Sequence, residues 1–214
     1  MNEYLLVPRL QVGAREILII YLHPRNTAIL IFKDVEVLDF TGPYEVFSSA
    51  NTEYGEKIFN VFTISERDTE IESANGLKII PDYTLINSPP PDILVIPGGN
   101  GRKIVMNNTV LLNWIKEKFS SLEFLLSVCT GSFILGKTGL LDGAKAATHH
   151  YSYEEFEKTF PNIELVKNVK FVDNGKIITA AGVSSGINMS LHMISKLFGE
   201  ELMRKTAIHI EFDF

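Results

Sequence analysis

Cysteine occurs once in this chain of 214 residues. A single cysteine forms neither an internal disulfide framework nor a cysteine-based zinc cage, and it is compatible with a reducing, cytoplasmic setting. Basic clusters are also missing. The 20 Lys and Arg face 26 Asp and Glu, giving a net charge of −6 with no stretch where cations and aromatics interleave, so no nucleic-acid partner is expected. No apolar run approaches the ~20 residues of a membrane-spanning helix. The run Ile17-Leu-Ile-Ile-Tyr-Leu22 is short, follows Glu16 and lacks a small-residue cleavage site, so neither a membrane anchor nor a signal peptide is expected. Internal repeats, low-complexity tracts and domain linkers are absent as well.

What is present is a 45% hydrophobic chain, enough to bury one full core. Residues 26–214 are expected to form a single domain, with residues 1–25 an N-terminal extension to which no element is assigned. Short apolar runs alternate with helical patterns. Strands are expected at Thr27–Phe32, Ile58–Ile64, Asp92–Ile96, Ala144–Thr148, Lys170–Val172 and Ile177–Ala180, and a hairpin around Asn75-Gly76 beside Leu77–Ile80. Helices are expected over 42–50 with Pro43 at the first position, Val110–Phe119, Ser132–Lys137 closed by Gly139, Tyr151–Thr159, Ser185–Phe198 and Glu200–Ile210. This alternation predicts an α/β sandwich on a mostly parallel sheet.

In such sheets ligands gather at the carboxyl ends of the strands. Three features fall there: Asp39 after the first strand, Gly98-Gly99 after the third core strand, and Cys129 after Glu123-Phe-Leu-Leu-Ser-Val128. An apolar run that stops at Cys129 and reopens as Thr130-Gly-Ser132 places the thiol on a tight strand-to-helix turn, a nucleophile elbow with Cys in the place of Ser. The helix N-terminus beside it favours thiolate. The alternative is an inert buried cysteine. Asp39, between Leu38 and Phe40, is poorly placed as a helix cap if the helix begins at Pro43, and a desolvated carboxyl next to a thiol suits proton transfer near neutral pH. Gly98 and Gly99 let the backbone turn sharply, either as a plain strand end or as amide donors that form an oxyanion hole with Thr130. The Thr130 hydroxyl is free to meet a ligand if Ser132 caps the helix. His149 and His150, read as strand-end neighbours, point to opposite faces, so one of them faces the carboxyl edge and offers a Cys–His pair, or else simply satisfies loop backbone. His23, His192 and His209 read as structural or surface residues.

Ser127-Val-Cys-Thr-Gly-Ser132, Gly139-Leu-Leu-Asp-Gly-Ala-Lys-Ala-Ala-Thr-His149, Leu38-Asp-Phe-Thr-Gly-Pro-Tyr-Glu-Val-Phe47, Asp92-Ile-Leu-Val-Ile-Pro-Gly-Gly99 and Ala181-Gly-Val-Ser-Ser-Gly-Ile-Asn188 together resemble the ThiJ/PfpI family of the class I glutamine amidotransferase-like superfamily, from about Thr27 to Phe214. The subgroup most resembled joins isocyanide (isonitrile) hydratases with the amidase-like domains of AraC-type regulators. The resemblance implies a flavodoxin-like three-layer sandwich, a homodimer, a small-molecule substrate and no metal or organic cofactor. It implies Cys129 as nucleophile and Asp39 as its acid–base partner, with Gly99, Thr130 and His149 beside the pocket. Thr130 stands where PfpI-type proteases carry His, which disfavours amidase or peptidase chemistry. Asn188 stands where hydratase-like sequences often carry Asp. No helix-turn-helix segment follows within the chain, so a self-contained AraC-type regulator is not expected. A sensing domain without turnover, for small molecules or for oxidation at Cys129, is the reading from another class.

Overall fold

The computed structural model describes residues 24–51 and 55–213; the N-terminal extension expected over 1–25 lies outside them apart from its last two residues, as does His23. Eleven strands and seven helices follow in the order β1 (Arg25–Leu30), α1 (Val37–Ser49), β2 (Phe59–Ser65), β3 (Ile71–Glu72), β4 (Lys78–Ile79), β5 (Tyr83–Thr84), β6 (Ile93–Ile96), α2 (Arg102–Val105), α3 (Thr109–Phe119), β7 (Phe124–Ser127), α4 (Gly131–Thr138), β8 (Lys145–Ala146), α5 (Tyr153–Thr159), β9 (Glu164–Leu165), β10 (Phe171–Asp173), β11 (Ile177–Ala180), α6 (Ser185–Phe198) and α7 (Glu200–His209), counted among the described residues. Seven strands form one sheet in the order β10-β11-β7-β6-β1-β2-β5. Every pairing in it is parallel except that of β10 with β11.

Alternation along the central strands divides the core in two. Ile29 and Ile31 of the first strand segment, with Val95, Leu126, Val128 and Ile178, pack toward α1, α6 and α7. Ala28 and Leu30, with Leu94, Ile96 and Leu125, pack toward the face that holds Leu111, Ile115, Phe133 and Phe156 of α3, α4 and α5. Successive side chains on a strand point to opposite faces, so strands that are apolar at every position must be covered on both sides. The result is the expected three-layer α/β sandwich with a flavodoxin-like sheet order.

Several local expectations change. The first helix starts at Val37, not at Pro43, which lies inside it. Proline lacks the amide that would bond the carbonyl four residues back, but the helix accommodates it. Asp39 therefore sits in the first helical turn. The expected strand Ala144–Thr148 shrinks to β8, which pairs with β9 in a separate two-stranded sheet. Residues 150–152 form a 3₁₀ turn ahead of α5. The hairpin about Asn75-Gly76 forms as read, with Gly76 at φ 82° and β3 antiparallel to β4.

One close approach fixes where α4 begins. A Cβ on Gly131 would collide with the Ile96 carbonyl oxygen and come within 2.9 Å of that of Pro97. The elbow helix is thus pressed against the end of β6. Gly131→Ala is expected to destabilise the fold by about 2–4 kcal/mol, measurable as a lowered urea midpoint at unchanged m-value.

Candidate active site

Cys129 follows β7 in the left-handed region, at φ 57°. Its amide donates to the carbonyls of Ala180 (3.1 Å), the last residue of β11, and Ala181 (2.8 Å), and its own carbonyl accepts from the hydroxyls of Ser132 and Thr148, each at 3.2 Å. A non-glycine residue held at positive φ costs on the order of 1 kcal/mol or more and persists only where its surroundings fix it. Here the backbone is tied to β11 on one side and to the 148–150 segment and α4 on the other, and the thiol is turned back toward α1, only 6% exposed.

Asp39 is fully buried. Its Oδ2 accepts the Gly98 amide at 2.9 Å, its Oδ1 has no hydrogen-bond partner, and the carboxyl lies close enough to the Cys129 thiol for the two to interact electrostatically. Gly98 permits this approach. A Cβ there would lie 2.5 Å from Thr130 Oγ1, 2.6 Å from the Thr130 nitrogen and 2.9 Å from Asp39 Oδ2. Gly99, at φ 117°, donates its amide to Thr130 Oγ1 at 3.1 Å. Both glycine amides are therefore already engaged. The expected oxyanion hole from Gly98 and Gly99 is replaced by a positioning role: one amide fixes the carboxyl, the other fixes Thr130. Thr130, not Ser132, occupies the N-cap position of α4, without a capping side-chain bond. Its hydroxyl accepts from Gly99 instead.

The groups that favour charge on the sulfur are the backbone amides of Val183 and Thr130. Val183 was not singled out by the sequence reading. It belongs to the loop after β11, in the segment Ala181-Gly-Val-Ser-Ser-Gly-Ile-Asn188, and has φ 30°, an unfavourable value for a β-branched residue. Nothing in the residue types announces this role, because it belongs to a main-chain N–H.

His149 lies at the edge of this group. Its Cδ2 would be 2.6 Å from a Cβ on Gly182, and its Nδ1 accepts the Tyr151 amide at 3.3 Å. No hydrogen bond joins it to Cys129, so the Cys–His pair is not formed; the partner of the thiol is Asp39. Nor do His149 and His150 point to opposite faces. The chain leaves the extended conformation at His150, and the two rings stack with centroids 4.5 Å apart. Partial burial, and then the neighbouring His150, hold the His149 imidazole below its ordinary value, while Glu36 pulls it the other way.

The electrostatics of the pair follow from burial. Loss of water pushes the Asp39 carboxyl up to about 7 against the pull of the Gly98 amide and the thiol, with Glu36 adding a smaller push. The thiol is pushed up to about 12, first by burial and then by the Asp39 charge; the Val183 and Thr130 amides oppose this. At neutral pH the resting state is a protonated thiol beside a half-ionised carboxyl, one step of proton transfer from a thiolate held by two amides.

Two outcomes are expected for Asp39→Asn, which keeps an acceptor for Gly98. Removing the charge lowers the pKa of the thiol, read as a shift to lower pH in the iodoacetamide alkylation profile. It also removes a pH-dependent cost. The folded carboxyl binds its proton more tightly than the unfolded one, so its contribution to stability is complete below about 4 and lost as pH rises through about 7, on the order of 4 kcal/mol in all. The variant is expected to exceed the parent in urea resistance at pH 8 and to lose that slope between pH 4 and 7.

Comparison with known proteins gives the family. The sequence profile of the DJ-1/PfpI family matches residues 25–196. Isonitrile hydratase of Pseudomonas putida is 31% identical over 183 residues, covering 86% of this chain and 76% of that protein. The HTH-type transcriptional regulator GbdR of Pseudomonas aeruginosa is 25% identical over 182 residues, covering 84% of this chain; the chain spans about half, 48%, of the regulator's length. Among solved structures, a ThiJ/PfpI family protein from Pseudomonas syringae superposes with a TM-score of 0.80 at 26% identity, over 91% of this chain and 77% of that one. With a profile match across most of its length and the elbow, carboxyl and glycine turn in one place, the chain belongs to the DJ-1/PfpI family.

Proposed function

We propose that this protein is a cysteine-dependent hydratase of small electrophiles, and that its reaction is the hydration of an isocyanide to an N-substituted formamide. The observation that carries the reading is the buried Asp39 carboxyl set against the buried Cys129 thiol, supported by 31% identity to an isonitrile hydratase. In this proposal residues 26–214 act as one domain, as a homodimer and without a cofactor.

Ionised Asp39 takes the thiol proton as the sulfur bonds to the terminal carbon of R–N≡C. The amides of Thr130 and Val183 stabilise the sulfur while it carries charge. Asp39 then delivers that proton to the same carbon, leaving a thioimidate, R–N=CH–S–Cys129. Water adds to its carbon with Asp39 accepting one proton and passing it to the nitrogen. Collapse of the tetrahedral adduct breaks the C–S bond and gives R–NH–CHO, with the last proton returning to sulfur. One isocyanide and one water give one formamide, and the pair ends as it began. A carboxyl near 7 is matched to this alternation of base and acid at neutral pH.

Purified protein is expected to convert an alkyl isocyanide to the formamide, followed by NMR or chromatography. Cys129→Ala and Asp39→Asn should each reduce kcat/KM by at least about 10³-fold. Because the base must be ionised, kcat/KM in the parent should rise with pH through a single limb near 7. Full turnover in Cys129→Ala would end the proposal.

The similarity to GbdR and the protonated resting thiol favour one second reading, a ligand-sensing domain without turnover. It requires isocyanides or related compounds to raise the thermal midpoint with no product that depends on Cys129.

A further inference from the structure

His149 carries one polar group that the fold leaves open. The residue caps the 3₁₀ turn over 150–152, and its Nδ1 accepts the Tyr151 amide at 3.3 Å. A ring nitrogen that accepts an N–H carries no proton, so the neutral imidazole bears its proton on Nε2. Partial burial favours that neutral ring. The bond to Tyr151 and the stacking on His150, with centroids 4.5 Å apart, fix the plane of the ring. Its Nε2–H has no hydrogen-bond partner among the described residues.

This open donor lies beside the loop that faces the thiol. A Cβ on Gly182 would stand 3.2 Å from His149 Nε2, so the glycine is what lets the edge of the ring rest there. Chain neighbours of both residues touch Cys129. The Thr148 hydroxyl donates to the Cys129 carbonyl at 3.2 Å, the Ala181 carbonyl accepts the Cys129 amide at 2.8 Å, and the Val183 amide favours charge on the sulfur. The charge of Glu36 acts on the Asp39 carboxyl and on His149 alike. The imidazole and the carboxyl thus flank one centre.

We propose that His149 is a further catalytic residue, whose Nε2–H donates a hydrogen bond to the substrate nitrogen. This role rests on isocyanide hydration being the reaction, and it differs from pairing with the thiol. The nitrogen is the reacting atom that has no fixed donor from Asp39, Thr130 or Val183. While the sulfur bonds to the terminal carbon, charge gathers on that carbon, and Asp39 returns the thiol proton there. When water adds to R–N=CH–S–Cys129, the electron pair of C=N moves onto nitrogen, and a donor placed in advance lowers the barrier. The proton that water loses still travels through Asp39 to the nitrogen. His149 keeps its own proton throughout, so the ring ends as it began.

Two variants separate the functions of the ring. His149→Asn keeps an acceptor near the place of Nδ1 for the Tyr151 amide and removes the donor, whereas His149→Gln brings an amide N–H to the place of Nε2. With an alkyl isocyanide in a single turnover, His149→Asn is expected to form the thioimidate at the parent rate, followed as loss of titratable thiol. It should release formamide about 10²-fold more slowly, so that intact mass spectrometry shows Cys129 carrying one isocyanide. His149→Gln should regain about tenfold or more of that loss. If His149→Asn alters the circular dichroism spectrum, His149→Phe, which keeps a ring on His150, takes its place with the same expectations. Undiminished formamide release in the donor-free variant, equal slowing of thioimidate formation, or a His149→Gln protein no faster than the donor-free one would each overturn the role of His149 alone. A parent that makes no formamide would instead overturn isocyanide hydration, and this role with it.

Discussion

A carboxyl group without water contact lies against the sole thiol of the chain, and one backbone amide, that of Gly98, holds it there. Burying an ionisable group without a counter-ion is costly, and the cost appears as an Asp39 pKa near 7 and a thiol near 12. Much of the surrounding structure serves this contact. Gly98 has no side chain because a Cβ would press on both Asp39 and Thr130. Gly99 adopts φ 117° and fixes the Thr130 hydroxyl. Cys129 and Val183 hold positive φ angles, and the amides of Val183 and Thr130 favour charge on the sulfur.

The same contact sets stability against chemistry. A fully solvated carboxyl would be ionised throughout the neutral range and would be a weak proton donor. A carboxyl with no hydrogen bonds would stay protonated and be a poor base. Partial compensation by Gly98 places it between these limits. Its neighbours confine the thiol in a corresponding way: two amides favour thiolate, while burial and the Asp39 charge oppose it, so the sulfur acquires charge only as its proton leaves. The exclusion of a Cys–His pair follows from geometry, since His149 is turned to the Tyr151 amide and stacked on His150.

How much of this was legible in the sequence can be judged residue by residue. The elbow at Cys129 was legible because an apolar strand ending in Cys-Thr-Gly admits few other backbone paths. The hairpin at Asn75-Gly76 was legible for the same local reason, and α6 and α4 were legible from their periodicity and the closing Gly139. The start of α1 was misplaced because proline at a first helical position is the common case, while a helix supported by packing on β2 and α6 tolerates it further in. The strand expected at Ala144–Thr148 was overestimated because apolar residues there are buried by the sheet beneath them without joining it.

The sequence by itself determined the α/β class, the alternation that splits the core into two faces, and the identity of the thiol and the glycine turn, since these rest on residue types and on short-range backbone rules; the carboxyl was singled out mainly through the family resemblance. Only the tertiary structure decided which partner the thiol meets, because Asp39, Gly98, Cys129 and Val183 arrive from four separate segments and hydrogen-bond direction has no one-dimensional signature. It also decided that the Gly98 and Gly99 amides position other groups instead of facing a substrate, and that the Val183 amide favours charge on the sulfur. A main-chain N–H is present at nearly every residue, and its role is settled by where the folded chain aims it.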